Sequence, residues 1–193
     1  MWNQPEHLEM YFAVPAMGAV LHTLNPRLSP DELSFIVSDA EDRAIVVDET
    51  LLEVFEKFRS AQDFEHVIVV SPSGSVPEGA IEYESLIADA EPASWPRLEE
   101  RRAAAMCYTS GTTGRPKGVL YSHRSLVLHS LMAALPDDMG ISGHDTILPV
   151  VPMFHANAWG LPYIAAFAGA GLVLPGPKLD AESVLELLAD EQV

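Results

Sequence analysis

The stretch Tyr108-Thr-Ser-Gly-Thr-Thr-Gly-Arg-Pro-Lys-Gly118 decides how the rest of the chain is interpreted. A phosphate chain is bound by backbone N–H groups that approach closely, by hydroxyls and by a cation. The glycines, the hydroxyl residues and Lys117 of this stretch supply all three. An ordinary polar hairpin is the alternative, because Gly, Thr and Pro favour turns. A hairpin needs about five loop residues, whereas this loop spends about ten, so a nucleotide triphosphate is favoured as the ligand.

The loop does not follow the Walker pattern, which requires Gly, four residues, then Gly-Lys and Ser or Thr. Counted from Gly111, the place of the second glycine is occupied by Pro116, and Gly118 stands where a metal-binding hydroxyl would follow the lysine. A Walker-type NTPase is therefore disfavoured. ATP hydrolysis that does not depend on an acyl substrate would be the observation in its favour.

Apolar runs on both sides of the loop predict that two strands flank it, at Ala103–Tyr108 and Val119–Ser122. Earlier in the chain, Arg43–Val47 and His66–Val70 are short β-branched runs typical of buried strands, with a helical pattern at Glu49–Arg59 between them. Strands that are apolar on both faces and alternate with helices predict an α/β fold, with a layered, mostly parallel sheet flanked by helices.

Further elements are predicted from periodicity and from helix start signals, among which Ser29-Pro30-Asp31-Glu32 is the clearest N-terminus. They are a helix at His7–Ala19, a helix after Ser29, a helix at Ser125–Leu135, a strand at Thr146–Val151, a helix at Asn157–Ala168, a strand at Gly171–Leu174 and a helix at Ala181–Ala189.

Composition limits the partners. The chain has 193 residues, of which 48% are hydrophobic, and its 28 acidic against 11 basic side chains give a net charge of −17. This charge repels phosphate backbones, so nucleic acid is not expected as a partner. No run reaches the roughly 18 apolar residues of a spanning helix, so no transmembrane segment is expected. A single cysteine, Cys107, indicates a reducing cytoplasm. Its apolar neighbours favour a buried strand residue over a reactive thiol.

Three segments resemble one known family. The loop at 108–118 is similar to the phosphate-binding signature of the acyl-adenylate-forming (AMP-binding) enzymes, which include acyl-CoA synthetases, luciferases and the adenylation domains of peptide synthetases. Val151-Pro-Met-Phe-His-Ala-Asn-Ala-Trp-Gly160 resembles the family segment that lines the acyl pocket. Met10–Ser29 resembles the early helical part of the fatty acyl-CoA synthetases. The likeness spans nearly the whole chain and is closest to the medium- and long-chain branch.

This resemblance implies an ATP-dependent fatty acid–CoA ligase. In such a ligase the carboxylate attacks the α-phosphate of ATP to give an acyl-adenylate and pyrophosphate, and the thiol of CoA then displaces AMP. The implied small molecules are a fatty acid, ATP with Mg²⁺, and CoA as co-substrate. Because the first step brings two anions together, shielding and positioning are what the protein has to provide.

The resemblance also implies roles for particular residues. Nucleotide-phosphate contacts carry over to Thr109, Ser110, Gly111, Thr112, Thr113, Gly114 and Lys117. The hydroxyl of Thr109 is expected near Mg²⁺, and Lys117 is expected to assist catalysis. Arg115 lies at a variable place in the signature and is expected to be solvated.

His155 and Trp159 are the candidates in the second segment. By itself, a histidine at this place more often donates a structural hydrogen bond at a helix start. The resemblance instead implies that His155 orients the acyl carboxylate or adenylate and that Trp159 borders the acyl tunnel. Packing of Trp159 in the core remains the alternative, since large aromatic residues dominate cores.

Family segments that hold adenine, ribose and the metal-binding glutamate have no counterpart in 1–193, nor does the small C-terminal domain. The expectation is therefore one incomplete domain, a piece of the N-terminal AMP-binding domain that is inactive alone. A non-catalytic fragment that binds no ligand tightly is the alternative. The oligomeric state is open: a homodimer is possible, and pairing of an exposed truncated edge strand with a copy of itself would be an artefact and not biology.

Overall fold

A computed structural model describes residues 1–88, 90–109 and 114–193 of the chain. These residues form two compact units. The first unit consists of Met1 and residues 24–88, 90–94 and 114–117, and the second consists of residues 2–23, 95–109 and 118–193. That the chain is one incomplete domain stays a prediction.

Helices and strands alternate along most of the chain. In chain order the elements are α1 Pro5–Ala16, β1 Leu21–Thr23, α2 Pro30–Asp39, β2 Ala44–Asp48, α3 Leu52–Glu56, β3 His66–Val70, β4 Ile81–Glu82, α4 Tyr83–Ala88, β5 Ala103–Thr109, β6 Lys117–Ser122, α5 His123–Ala133, β7 Thr146–Ile147, α6 Leu161–Ala168, β8 Gly171–Leu172 and α7 Ala181–Asp190. Short 3₁₀ turns lie at Glu49–Leu51, Arg59–Ala61 and Ala156–Gly160.

In the first unit, β2, β3 and β4 form a parallel sheet in that order. Ala44 lies opposite His66, and Ile68 lies opposite Ile81. The helix α2 begins where the sequence predicts, because Ser29 and Glu32 form a capping box: Glu32 N donates to Ser29 Oγ (3.3 Å) and Ser29 N donates to Glu32 Oε2 (3.0 Å).

In the second unit, β1, β5 and β6 form a sheet in the order β1-β5-β6, and β7 pairs with β8 in parallel. The strands β1 and β5 are parallel, with Leu21 opposite Ala105 and Thr23 opposite Cys107. A core cluster of Tyr11, Leu21, Ala105, Met153 and Ala158 packs on this sheet. It brings α1, two strands and residues 153–158 together, and it is the frame on which the second candidate segment is held.

The predicted α/β class with parallel sheets flanked by helices is confirmed, and Cys107 is a buried strand residue as the sequence favours. Several predicted elements differ in extent, among them the helix predicted at His7–Ala19, which spans Pro5–Ala16, and the strand predicted at Gly171–Leu174, which pairs only at Gly171–Leu172. The helix predicted over Glu49–Arg59 is interrupted, because the Asp48 side chain accepts from Thr50 N (2.9 Å) and starts a 3₁₀ turn ahead of the short α3. The strand predicted over Thr146–Val151 pairs only at Thr146–Ile147, and the helix predicted from Asn157 begins at Leu161.

None of the helices among the described residues is both long and apolar enough to cross a bilayer.

Candidate functional site

The loop between β5 and β6 is described only at its two ends. Thr109 is the last residue of β5, and Lys117 is the first residue of β6; these strands are neighbours in one sheet, and both side chains are exposed. Four of the predicted nucleotide-binding residues, Ser110, Gly111, Thr112 and Thr113, lie outside the described residues. The strand–loop–strand context predicted for the motif is therefore confirmed, whereas its phosphate contacts stay a prediction.

Gly114 shows why this arm of the loop needs glycine. Its φ of +93° lies in the region that residues with a Cβ rarely adopt, and an added Cβ would meet no atom of the described residues within 4 Å. The requirement is thus one of backbone conformation and not of steric room.

Arg115 is exposed, as expected, but it has a definite partner. Its guanidinium carbon lies 5.3 Å from the ring centroid of Phe35 on α2, in the same unit. A cation–π contact at an exposed site contributes about 0.5–1 kcal/mol. It attaches the described arm of the loop, residues 114–117, to α2.

The segment 149–160, called the acyl segment below, is arranged very differently. Its first part, Pro149–Met153, belongs to no helix or strand and is bonded by a side chain. Asn3 Nδ2 donates to Pro149 O (2.8 Å) and to Val151 O (3.1 Å), and Met153 N donates to Asn3 Oδ1 (2.7 Å). The buried carboxamide of Asn3 thus supplies the donors and the acceptor that a neighbouring strand would supply.

Tyr11 on α1 completes this set of bonds. Its hydroxyl donates to Met153 O at 2.5 Å, and its ring lies in the core cluster. Burial, with a smaller contribution from Tyr163, raises the pKa of the Tyr11 hydroxyl well above its usual value, so the hydroxyl keeps its proton and remains a donor.

Beyond Met153, the backbone of the acyl segment turns in the left-handed sense. Ala156, Asn157, Ala158 and Trp159 have φ values of 45°, 50°, 48° and 55°. Four consecutive residues with a Cβ in this region are unusual, since each costs about 1–2 kcal/mol relative to the right-handed conformation. The sequence signal for a helix starting at Asn157 fails for this reason: the residues do turn, but with the opposite hand.

His155 and Trp159 stand at the two ends of this left-handed turn. His155 is the exposed residue that precedes the turn, and its side chain makes no capping hydrogen bond. Trp159 is 60% exposed, so the core-packing alternative for this side chain is wrong. The turn therefore presents an imidazole and an indole to the surface of the second unit.

Two residues from other elements contact the turn. His129 Nε2 lies 2.9 Å from Trp159 O, and because a carbonyl only accepts, His129 carries a hydrogen on Nε2. A Cβ added at Gly160 would lie 2.7 Å from His129 Cδ2, so the close approach of the ring requires glycine there. Thr23 Oγ1 donates to Asn157 Oδ1 at 2.9 Å, which fixes the orientation of that buried amide.

Asn157 Nδ2 and the Tyr163 hydroxyl are buried and have no hydrogen-bond partner among residues 1–88, 90–109 and 114–193. Burial raises the pKa of the Tyr163 hydroxyl well above its usual value, so it too stays protonated. An unsatisfied buried polar group costs about 1–3 kcal/mol, and such groups in the acyl segment and in α6 are sites where an ordered water or a ligand atom would be stabilised.

In the part of the chain that the structure describes, no group of three or more His, Cys, Asp or Glu side chains is placed to hold a metal ion. Thr109 offers a single hydroxyl. One hydroxyl fits only an ion whose other oxygen ligands come from elsewhere, such as Mg²⁺ that arrives with the phosphates of a nucleotide.

Reasoning from the sequence did not single out Asn3, Tyr11, His129 or Thr23. Each of them lies far along the chain from the segment that it holds: Asn3 Nδ2 bonds a carbonyl 146 positions away, and the Tyr11 hydroxyl bonds one 142 positions away. No local pattern marks such a contact, although a buried asparagine beside a helix start is the kind of residue that a search for orphan polar groups would flag.

The family described as AMP-binding enzyme matches residues 1–193. The chain belongs to the AMP-binding enzyme family.

Similar proteins include a medium-chain-fatty-acid–CoA ligase of Ectopseudomonas oleovorans, 48% identical over 199 residues, and a long-chain-fatty-acid–CoA ligase of Thermus thermophilus, 52% identical over 194 residues. All of this chain is covered in both comparisons, and it spans 36% and 35% of those proteins. A solved structure of ATP-bound MatB from Rhodopseudomonas palustris is 26% identical, with a TM-score of 0.75 over 97% of this chain and 36% of that one. The chain thus spans about a third of the length of these relatives.

Proposed function

We propose that this chain is part of an ATP-dependent fatty acid–CoA ligase that forms an acyl-adenylate and then an acyl-CoA. The observation that carries the proposal is the loop at 108–118, which retains its glycines, hydroxyls and lysine between two neighbouring strands. Relatives named as medium- and long-chain fatty acid ligases, at 48% and 52% identity over the whole chain, support the choice of substrate class.

The loop is proposed to hold the β- and γ-phosphates of ATP. In this role Thr109, Ser110, Gly111, Thr112, Thr113, Gly114 and Lys117 contribute hydroxyls, backbone N–H groups and one ammonium. Lys117 is exposed, so its ammonium is available to a ligand. A charge-assisted hydrogen bond to phosphate contributes about 1.5–3 kcal/mol, which is enough to matter when two anions must be brought together.

Thr109 is proposed to lie next to Mg²⁺ that is bound mainly by ATP oxygens, and the ion would neutralise phosphate charge there. CoA is the proposed co-substrate, whose thiol displaces AMP from the acyl-adenylate. The cytoplasm is the proposed compartment, which the lone buried thiol of Cys107 supports. A homodimer stays a proposal.

The acyl segment is proposed to receive the fatty acid. His155 would orient the carboxylate or the adenylate, and Trp159 would border the acyl chain. The exposure of both side chains at the ends of a strained left-handed turn supports this role, because strained backbone is concentrated at functional sites.

The test is fatty-acid-dependent exchange of pyrophosphate into ATP by the complete product of the reading frame that contains this chain. Octanoate, decanoate and palmitate are compared with acetate and benzoate. We expect exchange that requires Mg²⁺ and is fastest with a medium- or long-chain acid. No exchange with any carboxylate would overturn the proposal.

The chain by itself is proposed to lack this activity, because adenine, ribose and metal contacts would have to come from elsewhere. Calorimetry on the 193-residue polypeptide with ATP·Mg²⁺ separates a weak phosphate site from an inert module. Micromolar affinity would argue against the non-catalytic alternative, while exchange activity of the isolated chain would show that the prediction of inactivity is wrong.

A further inference from the structure

Two side chains, one just before α1 and one in the middle of this helix, contact the acyl segment through several hydrogen bonds. Asn3 bonds Pro149, Val151 and Met153, and Tyr11 bonds Met153. We call these two side chains the Asn3–Tyr11 clamp. Asn3 is 1% exposed and Tyr11 is 0% exposed, so both sets of bonds are shielded from water.

The clamp bonds backbone groups of the acyl segment that lie outside the described strands. The carbonyls of residues 149 and 151 accept from Asn3, and that of residue 153 accepts from Tyr11. Local bonds continue the series, since His155 N donates to Pro152 O and Ala158 N donates to His155 O, both at 3.0 Å. The main chain is therefore fixed from Pro149 to the turn that carries His155.

The clamp itself is held in place. His7 Nδ1 donates to Trp2 O at 2.8 Å, and the Trp2 ring packs edge-on against Phe154 with centroids 6.0 Å apart. Gly176 N donates to Asn3 O at 2.8 Å. The carbonyls of Trp2 and Asn3 are thus both hydrogen-bonded. The Asn3 side chain therefore has little freedom to follow a displaced acyl segment.

We propose that Asn3 and Tyr11 are positioning residues for the carboxylic acid substrate: they set the place of the segment that carries His155 and Trp159. This inference rests on the proposed function and adds two residues to which the family resemblance gives no role. The clamp bonds the acyl segment and not the nucleotide loop. Its loss should therefore raise the KM for the carboxylic acid and leave the KM for ATP unchanged.

The experiment compares Asn3→Ala, Tyr11→Phe and Ser29→Ala in the complete gene product by pyrophosphate exchange. Tyr11→Phe removes one hydrogen bond and keeps the ring in the core, so it folds even where Asn3→Ala does not. Ser29→Ala is the matched control, because it deletes the N-cap of α2 and lowers stability without touching the acyl segment.

We expect the KM for decanoate to rise about tenfold in Asn3→Ala and about threefold in Tyr11→Phe, with the KM for ATP within twofold, since small displacements at a site are costly in rate. Ser29→Ala should leave both KM values unchanged. A parallel rise in both KM values, an unchanged KM for decanoate in both clamp variants, or the same pattern in Ser29→Ala would overturn the positioning role.

Hydrogen exchange of the unmodified and variant chains supplies a readout that needs no activity. Peptides covering 149–160 should exchange faster in the clamp variants than in Ser29→Ala, and equal protection would also overturn the inference. If the unmodified protein shows no acid-dependent exchange of pyrophosphate, the proposed function fails. Activity in the unmodified protein together with normal kinetics in the clamp variants would defeat the clamp alone.

Discussion

The arm of the nucleotide loop at 114–117 and the acyl segment at 149–160 carry proposed functional residues in opposite ways. The arm is exposed, and its described attachment outside the sheet is the stacking of Arg115 on Phe35. The acyl segment is bonded by the buried side chains of Asn3, Tyr11 and Thr23 and by the exposed ring of His129 on α5. The groups proposed to bind phosphate therefore all lie within the loop sequence itself. The geometry of the acyl segment depends instead on residues elsewhere in the second unit.

Lys117→Ala gives the largest expected effect on turnover and tests the loop half of this comparison. The exposed side chain contributes little to packing, so its loss should leave the melting temperature within about 2 °C. Turnover in pyrophosphate exchange should fall about a hundredfold, equivalent to about 2.7 kcal/mol in the transition state.

Arg115→Ala is the control for this variant, since it removes a cation two positions away. We expect turnover to change less than threefold, because the Arg115 side chain is occupied by Phe35. Equal losses in the two variants would mean that general positive charge matters and that Lys117 has no specific role.

Gly160→Ala tests the acyl half. The change places a Cβ at a φ of +77° and 2.7 Å from His129 Cδ2, so we expect a loss of about 3 kcal/mol in the free energy of unfolding. Gly169→Ala has the same φ of +77°, but its Cβ would meet only a backbone atom at 4.0 Å. It should cost about 1–2 kcal/mol from backbone strain alone. Urea unfolding measures both.

The difference between these two glycine variants isolates the His129 contact. In a His129→Ala background, Gly160→Ala should cost no more than Gly169→Ala does. A full penalty that persists without the imidazole would show that something other than His129 restricts this position.

His7 gives the clamp a pH dependence. Burial lowers the pKa of His7 to about 3, against an ordinary value of about 6.5 in the unfolded chain. Between these values the unfolded state binds one more proton, so the free energy of unfolding should fall by about 1.4 kcal/mol for each pH unit below about 6.5. Above that pH, the His7 contribution is fully present.

His7→Asn should flatten this acid limb, because an amide can donate to Trp2 O without titrating. Urea unfolding at pH 7, 6 and 5 measures the slope for both proteins. Parallel slopes would show that His7 is not the group responsible. The loss of stability at acid pH would then be unrelated to the residues that hold the clamp.

Features of the fold and of the candidate site that depend on local sequence could be predicted, and those that depend on contacts between distant positions could not. The capping box at Ser29, the strand at His66–Val70 and the strands around the loop are written in local sequence, and they are found as predicted. The left-handed turn at 156–159 is not, because Ala and Trp rarely adopt positive φ, and a single Asn predicts at most one such residue and not four in a row. Contacts of the Asn3 kind link positions about 146 apart, so only the folded chain reveals them.

Trp159→Ala carries the smallest expected effect on folding and sharpens the contrast within the acyl segment itself. The indole is 60% exposed, so its removal should change the free energy of unfolding by less than about 0.5 kcal/mol. Its backbone carbonyl, which bonds His129, is retained. If the indole borders the acyl chain, the ratio of kcat/KM for palmitate to that for octanoate should still shift several-fold. An unchanged ratio would mean that the indole does not contribute to the preference between the two acids. The proposed role of the acyl segment would then rest on the clamp.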